Sequence, residues 1–292
     1  MNPKQAGILF ALAAMLTSAV LPVSSKFSLG YLNPLLFSSV TLLIAFAVSY
    51  AYLLMKGRHA EAMRAIPRAL KLSALSYFAF SVLFFFAQKS LSAVDSTLLF
   101  QSEPFFALAF SAWLLSEKIS LSRIAITTVM VGAIIFFIVN PFGGTLLNPA
   151  AVALLFASVA SVQLGYVFSM KEIGGTDPLV LSCAAALPAG VALFILGMLV
   201  NPAEMLLPLP MLPYVVFHAI VGWLVAYVTY YGAIKRLGLS FSTALLIPAP
   251  ALTVLLAGMF LGEAVTQRQL FGLAFIIGCL ALLLLSGMRE RK

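Results

Sequence analysis

Apolar runs about twenty residues long, separated by short polar connections, recur from one end of the chain to the other. A helix rising 1.5 Å per residue needs about 20 such residues to cross a hydrocarbon core about 30 Å thick. Ten segments meet that length, at approximately 6–27, 34–55, 70–90, 95–115, 121–140, 149–170, 178–200, 212–234, 240–261 and 267–287. The connections carry turn chemistry at Gly30–Pro34, Asn140–Gly144, Gly174–Pro178 and Asn201-Pro202, with proline at or near the first helical turn. The expected fold is an all-α polytopic membrane protein of ten transmembrane helices. No connection exceeds about 15 residues, which leaves no room for an extramembrane catalytic or nucleotide-binding domain.

Composition agrees with the pattern. Of 292 residues, 63% are hydrophobic and 9% charged, against about 45–50% and 25% in soluble domains. The mean hydropathy is +1.10. The segment MNPKQAGILFALAAMLTSAV resembles a signal peptide, but its apolar stretch is long and further spans follow, so it is read as an uncleaved first helix. The net charge of +8 reflects basic loops rather than nucleic-acid binding. With the N-terminus inside, 14 basic residues fall on the inner side, and Lys26, Lys89 and Arg268 on the outer. The positive-inside rule then puts both termini in the cytoplasm, in a cytoplasmic (inner) membrane. The stretch KGRHAEAMRAIPR, residues 56 to 68, is read as a basic interfacial loop. Cys183 and Cys279 lie in separate apolar runs and are expected to be free thiols.

The chain repeats itself. A constant offset of 146 pairs Lys89 with Lys235, Ser96-Thr97 with Ser242-Thr243, Pro104 with Pro250, Glu117 with Glu263 and Gly132 with Gly278. An offset of 144 pairs Pro34 with Pro178. Residues 1–144 and 145–292 are therefore expected to be two five-helix repeats within one membrane domain. Five is odd, so the second half enters from the opposite side. Such inverted halves are common in secondary transporters, with the substrate site near the midplane between them.

Glu103-Pro104 with the run to Ser116-Glu117, and Pro250 with Leu261-Gly262-Glu263 followed by Gly272 and Gly278, resemble the twin motifs of the EamA family of the drug/metabolite transporter superfamily. The resemblance covers essentially the whole chain. It implies a 5+5 inverted repeat that exports amino acids or related metabolites, with a central cavity lined by the first, third, fourth, sixth, eighth and ninth helices. Ser116 stands where the motif has Gly, Ile126 where the second copy has Gly272, and Ala249 opposite Glu103. The halves have diverged, so the cavity need not be used symmetrically.

The candidate chemistry is sparse. Glu103 near the centre of the fourth span costs about 2.5–3.5 kcal/mol to insert, so it is expected to face the bundle interior. Three roles fit it: a seat for a substrate ammonium group, a carrier of a coupling proton, or a hydrogen-bonded lock on the helix. Tyr77, Ser81, Phe84 and Gln88 share a helix face at i, i+4, i+7, i+11, and the 146 offset maps the first three onto Trp223, Tyr227 and Tyr230. Together with Gln163 they are the expected lining, whose aromatic faces suit a ring or a cation. Gln101 sits about 200° from Glu103 on one helix and is assigned to a neighbouring helix instead. His218 is a second proton-carrier candidate. Pro22, Pro104, Pro248 and Pro250 are candidate helix breaks or hinges, where freed carbonyls need protein or a water-filled cavity beside them.

Enzyme readings find little support. There is no GxxxxGK[ST] loop and no HExxH, and His59 and His218 cannot build a repeated metal cluster. No cofactor and no metal are expected. The expected partners are a small-molecule substrate and the lipid bilayer, with the chain a monomer or weak homodimer. A multidrug or lipophilic-cation exporter is the alternative of the same fold, and a membrane-embedded enzyme a more distant one.

Overall fold

The computed structural model describes residues 2–116, 119–136, 147–238, 242 and 245–289. Glu117, Thr243 and the Asn140–Gly144 turn, all named above, lie outside the described residues. The described chain is helical throughout. Helices α1 (Pro3–Leu29) and α2 (Pro34–Met55) are followed by α3 (His59–Ser90) and by α4, in two parts, α4a (Ala93–Phe100) and α4b (Glu103–Leu115). Then come α5 (Leu121–Ile134), α6 (Pro149–Phe168), α7 (Pro178–Val200), α8 (Leu209–Leu237), α9 (Ala249–Leu261) and α10 (Gln267–Arg289). Six of these, α1, α2, α3, α6, α7 and α8, are long and apolar enough to cross a membrane unbroken.

Helix starts follow from their caps. The Asn33 side chain accepts from Leu35 N–H at 2.8 Å, Asn148 from Ala150 N–H at 3.0 Å and Asp177 from Leu179 N–H at 2.9 Å, each with proline next in sequence. The cap satisfies an N–H that the first turn leaves orphaned, and proline has no N–H to lose there. Helix α3 begins earlier than its hydropathy suggested. Residues 59–68, expected as part of an interfacial loop, join 69–72 in an amphipathic helix burying Ala62, Ala65, Ala69 and Leu72. Small alanines on one face pack well, but the charges between them mask that face in a hydropathy reading.

The halves mirror one another in detail. Helix α2 packs on α7 and α5 on α10; α1 packs on α8 and α9, and its counterpart α6 packs on α3 and α4. Each pairing maps onto itself or another when the halves are exchanged, as a 5+5 inverted repeat requires. The 146 offset carries α4b onto α9 residue for residue. It also carries the π-helical segment Ser73–Ala79 of α3 onto residues 219–225, within the π-helical His218–Val225 of α8.

Both α4b and α9 end on a left-handed residue, Ser116 at φ 53° and Gly262 at φ 65°. Glycine has no Cβ to strain there, whereas serine does. Ser116→Gly should therefore raise stability by about 0.5–1 kcal/mol, the relief of strain exceeding the added freedom of the unfolded chain. An unchanged or lower melting temperature in detergent would contradict this.

Candidate substrate cavity

The fourth and ninth spans are broken rather than bent. Helix α4a stops at Phe100, Gln101 and Ser102 form a turn, and α4b restarts at Glu103 with Pro104 in its first turn. The matching turn before α9 runs to Pro248, with Pro250 in the first turn. Between these breaks lies a cavity of about 150 Å³. Its walls come from α1, α3, α4, α6, α8 and α9, with Leu280 of α10 at one edge.

The acidic group in this wall is Glu103. Its Oε1 accepts from Gln163 Nε2 of α6 at 2.5 Å, so the carboxylate is held across the interface between α4 and α6. Two prolines add acceptor character beside it. Pro22, inside continuous α1, supplies no N–H to the Ser18 carbonyl, and Pro104 supplies none to that of Phe100; all four residues line the cavity. In α9 the corresponding carbonyl, of Leu246, is taken by Ala249 N–H at 2.9 Å. Phe80, Phe84, Phe100, Tyr166, Tyr227 and Tyr230 provide the aromatic surface. Among the described lining residues none is Lys, Arg or His.

The structure brings Glu103, Phe84, Tyr227, Tyr230, Pro22, Pro104 and Pro250 to this wall, with Gln163 bonded to Glu103. Others expected there stand one layer back. Tyr77 is fully buried, its hydroxyl 3.3 Å from both Ser182 Oγ and Tyr231 Oη, and its ring stacks on Trp223 at 5.4 Å between centroids. Trp223 in turn stacks on Tyr227 at 5.3 Å, so this tier supports the wall from behind. The reason is the π-helical turn, which holds more residues than an α turn. Spacing of i, i+4, i+7 consequently loses register across it, and Tyr77 and Trp223 rotate out of the face that carries Phe84 and Tyr230.

Ser81 donates to the Tyr77 carbonyl, closing back on its own helix. Gln88 ties α3 to α1, donating to the Pro22 carbonyl at 2.8 Å and accepting from Ser25 at 2.6 Å. His218 is buried with Nδ1 2.8 Å from Ser24 Oγ and its ring against Phe37, outside the cavity. Pro248 lies in the turn before α9 and does not line the cavity.

Gln101 corrects the sequence reading. A continuous helix would separate it from Glu103, but the chain breaks between them and both line the cavity. Thr97, Tyr166 and Thr253 were also passed over as lining residues. For Thr97 the signal was present in its pairing with Thr243 across the repeat; for Thr253, which bonds the Ala19 carbonyl at 3.0 Å, no local pattern marks it.

Comparison with known proteins agrees with this architecture. A curated relative from Clostridium kluyveri, described as an uncharacterized transporter, is 28% identical over 200 residues, 66% of this chain and 63% of that protein's length. A solved crystal structure superposes over 99% of this chain and 100% of its own with a TM-score of 0.72 at 20% identity, a likeness of fold. The model of the EamA-like transporter family matches twice, over residues 5–139 and 149–285. With two family units and, among the described residues, six long apolar helices and several shorter ones around a cavity, the chain belongs to the EamA-like transporter family and is a multi-pass membrane protein.

Proposed function

We propose that this transporter moves amino acids or related amine-bearing metabolites, exporting them across the cytoplasmic membrane by alternating access between repeats 1–144 and 145–292, with both termini in the cytoplasm. The observation that carries the substrate reading is the character of the cavity: a carboxylate held by Gln163, and no basic side chain among the described lining residues. The Ser18, Ser96, Tyr227 and Thr253 hydroxyls in the lining already donate to backbone carbonyls, which leaves the Glu103 carboxylate as the charged acceptor of this surface. A substrate ammonium group matches it, and tyrosine faces add cation–π attraction. Glu103 is the seat for that group and the carrier of any coupling proton. Tyr227, Tyr230 and Phe84 hold the body of the substrate, while Tyr77, Trp223 and Gln88 keep the wall in place. His218, sealed away on Ser24, serves as a helix contact, and Pro22, Pro104, Pro248 and Pro250 are points at which the helices bend during exchange.

The same lack of a base favours a second reading, a lipophilic-cation exporter, because a free amino acid also brings a carboxylate that needs a partner. The two separate in a counterflow experiment with purified protein in liposomes. Labelled amino acids, their methyl esters and lipophilic monocations are offered in turn. Exchange of free amino acids supports the first reading, and exchange confined to esters and monocations supports the second. No exchange above that of protein-free vesicles across the panel would sink both.

A further inference from the structure

Away from the cavity, at the opposite end of the bundle from the Met170–Gly175 connection, Lys26, Asp95 and Glu263 are arranged around a single turn. That turn is Leu91-Ser92, between the end of α3 and the start of α4a. Glu263, just beyond α9, accepts from the backbone N–H of Ala93 at 2.8 Å through one carboxylate oxygen and from Val94 at 3.1 Å through the other. On the far side of the turn, Lys26 of α1 donates to the carbonyls of Gln88 at 3.0 Å and Lys89 at 3.3 Å. Asp95 accepts from Gln269 of α10 at 2.7 Å. Lys26 lies within Coulombic reach of both Glu263 and Asp95.

Each contact has the favourable sign. A carboxylate suits the positive end of α4a, and an ammonium suits the negative end of α3. More informative is which parts they join. Glu263 and Gln269 belong to the second repeat, and their partners, the backbone N–H groups of Ala93 and Val94 and the side chain of Asp95, belong to the first. Helices α4a and α9 both line the cavity. Opening the cavity toward this end requires α4a to part from α9, which breaks the Glu263 bonds to Ala93 and Val94, while Lys26 ties α1, itself packed on α9, to the end of α3 on the other side of the same turn.

We infer that Glu263 and Lys26 are positioning residues forming a latch that closes this end of the cavity, the outer one in the proposed orientation, and that the latch sets the balance between outward- and inward-open states. The inference rests on the alternating-access reading. Backbone N–H groups are the partners of Glu263, so the grip depends on carboxylate geometry rather than on the side chains at residues 93 and 94.

Cysteine accessibility tests this without a known substrate. In a background with Cys183 and Cys279 replaced by alanine, Ser96→Cys reports from the outer part of α4a and Tyr230→Cys from the inner part of α8. Both are treated with a membrane-impermeant maleimide, the first from outside in right-side-out vesicles and the second from the cytoplasmic face in inverted ones. Adding Glu263→Gln, which removes one of the two acceptors, or Lys26→Met should speed labelling at 96 about fivefold or more and slow it at 230. Glu263→Asp, which keeps the charge, should restore part of the difference. Faster labelling at both positions would mean general loosening and overturn the latch, as would unchanged labelling at both. Absence of flux across the substrate panel bears on the substrate reading alone, because labelling requires no substrate.

Discussion

Glu103→Gln should lower the affinity for amine substrates by roughly ten- to a hundredfold while leaving the protein folded. A hydrogen bond to a charged group contributes about 1.5–3 kcal/mol, and each 1.4 kcal/mol is a factor of about ten. The amide keeps the volume of the carboxylate, and its oxygen can still accept from Gln163 Nε2, the donor that sits 2.5 Å from the native Oε1. Removing an ionisable group from an apolar interior also removes its desolvation cost, so stability should hold or rise. The measurement is ligand-induced thermal stabilisation together with counterflow, at several pH values. Where Glu103 carries the ammonium, protonation at low pH weakens wild-type binding and the glutamine variant shows a flat profile. Equal affinities in the two proteins would make Glu103 a helix lock and remove it from the binding site.

The second large effect is expected where helices cross. Gly165 of α6 lies against the π-helical segment of α3, and a Cβ there would press on Ser76 Oγ, with Leu75 Cβ and the Ser76 backbone nitrogen at 3.0 and 3.1 Å. The serine hydroxyl can rotate, but the backbone cannot. Gly165→Val should therefore cost about 1–3 kcal/mol by overpacking, read as a fall of several degrees in melting temperature. It should also reduce transport, because the same crossing carries the bond from Ser76 to the Val162 carbonyl at 3.1 Å and that from Tyr227 to the Ser76 carbonyl at 3.4 Å. A stable variant with unaltered flux would show that the crossing has slack.

These two positions differ in how visible they are from sequence. Glu103 is conspicuous, because a carboxylate amid twenty apolar residues must be accommodated by some specific partner. Gly165 belongs to a small-residue face that signals close packing without naming its partner. The sequence also carried the repeat, since proline and glutamate do not recur at fixed spacing in an apolar chain without cause. Its reading of α3 and α8 was less successful. An α-helical spacing assigned Tyr77 and Trp223 to the cavity, and no residue type announces the π-helical turn that moves them behind it.

By itself, then, the sequence determined the number of spans, the duplication, the family resemblance and the presence of a carboxylate near the midplane. These follow from hydrophobic length, residue spacing and the cost of burying charge, all of which are local. Only the tertiary structure decided which side chains meet. The break at Gln101-Ser102 turns Gln101 into the cavity beside Glu103, Gln163 arrives from sixty residues away to hold that carboxylate, and Glu263 crosses 170 positions to cap α4a. Such contacts depend on how helices rotate and cross when their backbone polar groups and small faces are satisfied together, and no single segment contains that information.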